Sequence, residues 1–213
     1  MKLRIALALL TAASPSAAAT YTLEPNYTQV VFRWEHLGFS HPAAQIAQGA
    51  GTLEFDAMNP ASASVIVSIP LASLATGVPD LDEHLKSEDF FEVAKFPAAV
   101  FTSTKVAPGA GKERLKVTGN LTLHGVTKQV LLDVTFLKVG TNVRTSIATV
   151  GFTATATIKR TDFGLGAFVP QVSDAIQIEL TTQGAEAMAY QAYLLKKAAE
   201  QKQAAEKEAA KKK

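Results

Sequence analysis

The chain is expected to fold as an all-β protein: an extended, eight-stranded antiparallel barrel with a short helical insertion and a C-terminal helical tail. Three observations predict this. Between residues 20 and 184, apolar side chains recur with a period of two in one segment after another. A stretch near residue 80 breaks that period with a helical one. The last stretch, residues 185–213, contains neither glycine nor proline.

The strands follow in order. In residues 28–37 the even positions are Thr28, Val30, Phe32, Trp34 and His36, whereas the odd ones include Gln29, Arg33 and Glu35. The alternation recurs at Leu53 and Phe55, at Val65, Val67 and Ile69, at Leu115, Val117, Leu121 and Leu123, and at Val130, Leu132, Val134 and Phe136. It continues through Ala148, Val150, Phe152, Ala154, Ala156 and Ile158, and through Ile176, Ile178 and Leu180. Residues 97–106 add a less regular strand with Val100 and Phe101, so that about eight strands are expected. One buried face and one wet face per strand is what antiparallel pairing allows. Asp80 with Glu83 three residues later resembles a capping box, and predicts a short helix over residues 80–86 with Leu81 and Leu85 on one face. Phe90 and Phe91 follow it directly.

Closure into a barrel removes exposed sheet edges, but alternation alone leaves a two-sheet sandwich open. Ala148, Ala154 and Ala156 on one apolar face point to an interior that is not filled. An eight-stranded barrel is just wide enough to be packed by side chains or to hold one small ligand, so both interiors stay open at this point.

The two ends read differently. Lys2 and Arg4, an apolar run of about nine residues, and the small residues Ala17 and Ala19 fit a secretory signal peptide over residues 1–19 with cleavage after Ala19. The expected domain then spans residues 20–184 and the protein is expected in the periplasm or secreted. Residues 185–213 carry seven Lys and four Glu among Ala and Gln, which predicts a solvated helical tail. Contact of that tail with anionic headgroups is diluted by the four Glu. Residues 20–184 carry a net charge of −3, which argues against nucleic acid as a partner. The chain has no cysteine, excluding disulfides and thiolate chemistry.

No G-x-S-x-G, H-E-x-x-H or phosphate-loop motif occurs, and the four histidines lack metal-ligand spacing apart from His36 and His41. No metal and no cofactor is expected. Two polar residues extend apolar faces: His36 beyond Trp34 and Arg160 beyond Ile158. A buried charge needs a partner. Arg160 either pairs with Asp162 or another carboxylate, sits at a wet rim, or joins His36 in a polar mouth for a ligand head group.

Several motifs taken together resemble the YceI-like family. They are residues 81–91 (LDEHLKSEDFF), 95–97 (KFP), 117–128 (VTGNLTLHGVTK) and 160–164 (RTDFG), with Phe32, residues 36–40 (HLGFS) and 51–56 (GTLEFD) at the start. The resemblance keeps its order across residues 20–182. It departs at Glu24-Pro25-Asn26-Tyr27, where the family usually reads Asp-Pro-x-His, and at Ala44-Gln45-Ile46, where Gly-x-Phe is usual. It implies a lipocalin-like barrel in an exported bacterial protein that binds a long isoprenoid chain, of polyprenyl-phosphate or quinone type, without covalent chemistry. On that basis the lining is expected from Phe32, Trp34, Val65, Val67, Leu121 and Leu132, with Val134, Val150, Phe152 and Ile158 completing it. Polar contacts are expected from His36, His84 and Arg160, and a closing role from Phe90 and Phe91. Two other classes compete: an interaction protein with a filled barrel, and an enzyme acting on a lipid head group through Asp82, His84 and Arg160. Whether two barrels associate stays open.

Overall fold

The computed structural model describes residues 18–211. All but the last two residues of the expected signal peptide lie outside the described residues. Ten strand segments form one antiparallel sheet: β1 (Ala19–Leu23), β2 (Gln29–Arg33), β3 (Ala43–Ile46), β4 (Ala50–Phe55), β5 (Ser64–Pro70), β6 (Ala98–Pro108), β7 (Arg114–Leu123), β8 (Val126–Thr141), β9 (Ala148–Lys159) and β10 (Ala175–Glu186). The hydrogen-bonded order β1-β4-β5-β6-β7-β8-β9-β10 returns to β1, closing an eight-membered ring. β2 and β3 continue two of its positions. β10 pairs with β2 through Gln177–Thr181 and with β1 through Gly184–Glu186. The expected strand over residues 28–37 is therefore shorter, ending at Arg33, and is preceded on the same wall by a strand that alternation had not singled out.

The interruptions have local causes. Pro25 starts a 3-10 turn between β1 and β2, and a Cβ at Gly49, between β3 and β4, would meet Thr28 Cγ2 at 2.6 Å. The two breaks thus lie side by side, with Gly49 N donating to Thr28 O at 3.1 Å. Elsewhere the long strands bend at bulges. The β8 register slips between Phe136 and Lys138, where it faces Gly151 and Phe152 of β9.

The helical insertion forms as α1 (Pro79–Lys86), but the capping box at Asp80 does not. Pro79 opens the helix after Val78 instead, its fixed φ suiting the first turn. Asp82 is engaged by Thr76, whose N–H and hydroxyl both donate to it at 2.6 Å. Those bonds, the hydroxyl's first, hold the Asp82 carboxyl below its ordinary pKa. The tail forms α2 (Ala187–Lys211), with Glu186 accepting from the N–H groups of Met188 and Ala189 at 3.1 and 2.8 Å. Tyr190 is buried in a small cluster with Ile147 and Ala185, Tyr193 is half-buried against it, and from Leu194 onward the helix stands in solvent.

The segment after β9 is organised by a buried cation. Arg160 is 7% exposed. Its Nε donates to Ser173 O at 2.9 Å, its Nη1 to Leu165 O at 2.5 Å and Ala167 O at 2.7 Å, and its Nη2 to Val172 O at 3.0 Å. Burial pulls the guanidinium below its ordinary pKa while Asp174 opposes this, and guanidinium stays charged regardless. Apart from one bridge between Val172 and His36, the loop from Gly164 to Asp174 has no strand pairing, so this fork supplies donors that a ladder would otherwise provide. Close by, His124 Nδ1 donates to Phe163 O at 3.2 Å and its Nε2 faces Glu92 at 3.6 Å, joining the β7–β8 turn to both neighbouring loops.

Replacing Arg160 with Met is expected to destabilise the barrel by at least about 2 kcal/mol, since four carbonyls lose their donor. Arg160→Lys should recover only part, because an ammonium cannot fork in a plane; urea unfolding compares the three proteins. The backbone and hydroxyl of Thr161 donate to Asp174, holding its carboxyl below the usual range with help from Lys159 and Arg160. A depressed folded-state pKa contributes stability that is complete above the unfolded value of about 3.9. That contribution disappears as pH falls through the lower folded value. Asp174→Asn should therefore melt earlier at neutral pH and lose less on acidification, which thermal melts across an acid titration would register.

Candidate functional site: an apolar cavity along the barrel

Period-two alternation turns every second side chain of each strand inward, and the ring closes around more space than those side chains fill. The result is an elongated cavity of about 690 Å³, within the roughly 300–1,000 Å³ of small-molecule sites. On β7 its wall runs from Leu115 to Leu123, a span of about 27 Å along the strand. Ala154 and Ala156 on β9 face Val134 and Ile178 across the ladders and leave the lumen wide there. Gly119 takes the inward position between Val117 and Leu121; a Cβ there would come within 2.3 Å of the Phe101 ring, so its absence lets that ring lie flat on the wall.

One end is closed. Phe55, Phe136 and Phe152 meet with ring centroids 5.1 to 5.6 Å apart. The other end is framed by α1, the residues that follow it, and the Arg160-held loop. There Trp34, Phe32 and Phe91 form one chain of rings at 5.8 and 5.9 Å, and His84, Phe90 and Phe168 a second at 4.9 and 6.2 Å. Leu81 and Leu85 of α1 turn inward beside them.

Polar groups on the wall are few, and those deep in the lumen are satisfied. Thr28, 1% exposed, shares a 2.7 Å hydroxyl contact with Thr182, and Ser103 Oγ accepts from Val65 N at 2.9 Å. Among the lining residues Arg160 alone carries a permanent charge, and four of its N–H donations go to backbone carbonyls. It neither pairs with Asp162 nor offers an open fork. His36 and His84 lie exposed at the mouth. Among the described residues no three His, Asp or Glu side chains are grouped to hold a metal ion.

The residues expected to line the cavity do so, from Phe32, Trp34, Val65 and Val67 through Leu121, Leu132 and Val134 to Phe152 and Ile158. Val150 does not. It is 0% exposed and belongs to the packed core outside the cavity wall. Its inward parity was right, but it sits beyond Phe152 toward the closed end. Phe90 and Phe91 stand at the mouth as expected. The expected lining left out Phe55, Leu115, Val117 and Ile178, although alternation had put them on the apolar faces, and Phe168, which lies in an irregular loop and carries no periodic signal. Of the two departures from the family pattern, Ile46 lies on the wall, whereas Tyr27 is 46% exposed and away from it. Glu24 is buried beside β10, accepting from Gln183 Nε2 at 2.8 Å.

Comparison with known proteins agrees with this architecture. A YceI-like domain matches residues 21–184. An UPF0312 protein of Pseudomonas syringae pv. tomato is 37% identical over 184 residues, covering 84% of this chain and 94% of its own. BcnA of Burkholderia cenocepacia superposes with a TM-score of 0.65 at 24% identity, covering 73% of this chain and 95% of that one. A polyisoprenoid binding domain from Saccharophagus degradans, implicated in plant cell wall breakdown, superposes at 0.60 with 16% identity, covering 79% and 99%. Closed antiparallel barrel, inward apolar parity and sequence match converge: the chain belongs to the YceI-like family.

Proposed function

We propose that the protein is an exported, non-enzymatic carrier that holds a long isoprenoid lipid, of polyprenyl-phosphate or quinone type, for transport, storage or sequestration. The observation that carries this reading is the cavity itself: long, apolar, closed by phenylalanine at one end and framed by aromatic rings at the other. A flexible hydrocarbon chain gains from burying its length against such a wall, at about 25 cal/mol per Å² removed from water. The head group then stays near His36 and His84, where water reaches it. The polyisoprenoid binding named for the Saccharophagus domain supports the same ligand class. Export is supported by the N-terminal sequence, with its Lys2 and Arg4 followed by apolar residues.

Two competing readings fare worse. An interaction protein with a filled barrel does not account for the unfilled lumen. A head-group enzyme would need Asp82, His84 and Arg160 to act together, yet Asp82 is held by Thr76 and Arg160 by carbonyls, which leaves His84 without either partner.

Native mass spectrometry with lipid extraction, on protein purified from its own periplasm, is expected to recover an isoprenoid. Protein that carries none, and that binds neither added polyprenyl phosphate nor quinone, would refute the carrier reading. Ala156→Phe places a ring in the lumen with room to receive it. The variant should keep its melting temperature within a few degrees, yet bind the isoprenoid about tenfold more weakly, the factor for losing one large apolar contact.

A further inference from the structure

The mouth of the cavity carries apolar side chains that face water. Phe39 is 90% exposed, Phe168 61% and Leu37 50%. They belong to two segments tied together: Leu37 N donates to Gln171 O at 3.0 Å, and His36 pairs with both Ser40 and Val172. Leu37 and Phe168 also line the cavity, so its apolar wall runs out onto the surface at this place. Phe39 is not on the wall; it projects beyond it.

The backbone adds an independent observation. Leu37 and Phe168 have φ of 56° and 63°, a left-handed conformation that favours glycine or asparagine and disfavours branched and bulky side chains. Each position therefore combines two unfavourable features, a strained backbone and an exposed apolar side chain. Such strain persists where the surrounding structure enforces it, and collects at functional sites. Here Arg160 holds the loop on either side of Phe168 through the carbonyls of Ala167 and Val172, and Leu37 is tied to the same loop through Gln171 O.

We infer that the Leu37, Phe39 and Phe168 tip is a membrane-docking face, which inserts shallowly among lipid headgroups and presents the open mouth to the bilayer. The occupant is a lipid surface because the apolar path is continuous: an isoprenoid leaving a bilayer here passes from acyl chains to Phe168 to the lumen without crossing water. The inference rests on the carrier reading above. Insertion of this kind depends on buried apolar area, so it survives high salt, unlike adsorption through the Lys-rich tail.

Flotation of the mature protein with vesicles of phosphatidylethanolamine and phosphatidylglycerol tests it. Wild type should float, and continue to do so at high salt. Phe39→Ser should lower the partition coefficient about tenfold, the size expected for withdrawing one large apolar side chain from the interface. The same variant should still take up polyprenyl phosphate from detergent, because Phe39 is not on the cavity wall. Leu37→Asn and Phe168→Asn should each raise the melting temperature, by relieving the left-handed strain, while floating less. Unchanged flotation of all three variants, or flotation abolished by salt, overturns the docking face. So does a wild-type dimer in sedimentation velocity that Phe39→Ser converts to monomer, since a second copy then covers the patch. Failure of wild type to take up polyprenyl phosphate from detergent instead overturns the carrier reading beneath it.

Discussion

Everything in this fold depends on β10 finding partners along its whole length. An antiparallel sheet that stops leaves a row of unpaired backbone groups, and here that edge is removed by dividing one strand between two neighbours. β2 takes the half nearest the mouth and β1 the half nearest the closed end. Once the ring is closed at eight positions, its girth is fixed by strand number and stagger rather than by side-chain volume. Side chains must then fill the interior or leave it empty. Alanines on β9 and a glycine on β7 leave it empty, whereas three phenylalanines fill the far end.

The second requirement is a rim stable enough to stay open. Loops with no ladder of their own carry carbonyls that must be satisfied, and a guanidinium with its donors spread in one plane does this for four of them. Removal from water is unfavourable for the charge, which makes the arrangement sensitive to any change in the fork. His124 adds a second tie between the β7–β8 turn and Phe163. The rim is thus built from hydrogen bonds and the lumen from hydrocarbon.

What could be read in the sequence follows this division. Period-two alternation identifies inward positions because the pleat enforces it, and so Phe32, Val67, Leu132 and Phe152 are found on the cavity wall. Alternation says nothing of depth, and Val150, one inward step past Phe152, falls in the packed core instead. Arg160 was legible as a charge needing partners but not as a donor to carbonyls, because backbone acceptors are the same in every sequence. Asp80 and Glu83 had the spacing of a cap, yet Pro79 one residue earlier set where α1 begins. Phe168 had no signal at all, since its placement comes from a loop that the rest of the barrel shapes.

The adjacent breaks at Thr28 and Gly49 give the wall an uneven stiffness. Past them, toward the mouth, β3 bonds to β2 on one side. On its other side the described contacts are the Gln45 and Ala75 backbone pair, at 2.8 and 2.9 Å, and Ser73 Oγ bridging the N–H and C=O of Ala47 at 3.0 and 2.9 Å. The other neighbours in the ring share ladders, from three Cα pairs between β1 and β10 to eleven between β9 and β10. Local opening follows hydrogen-bond density, so compliance is gathered into one seam running from the crease to the rim. Any widening of the bore is therefore expected along this seam, as in a split collar, with the remaining circumference keeping its register.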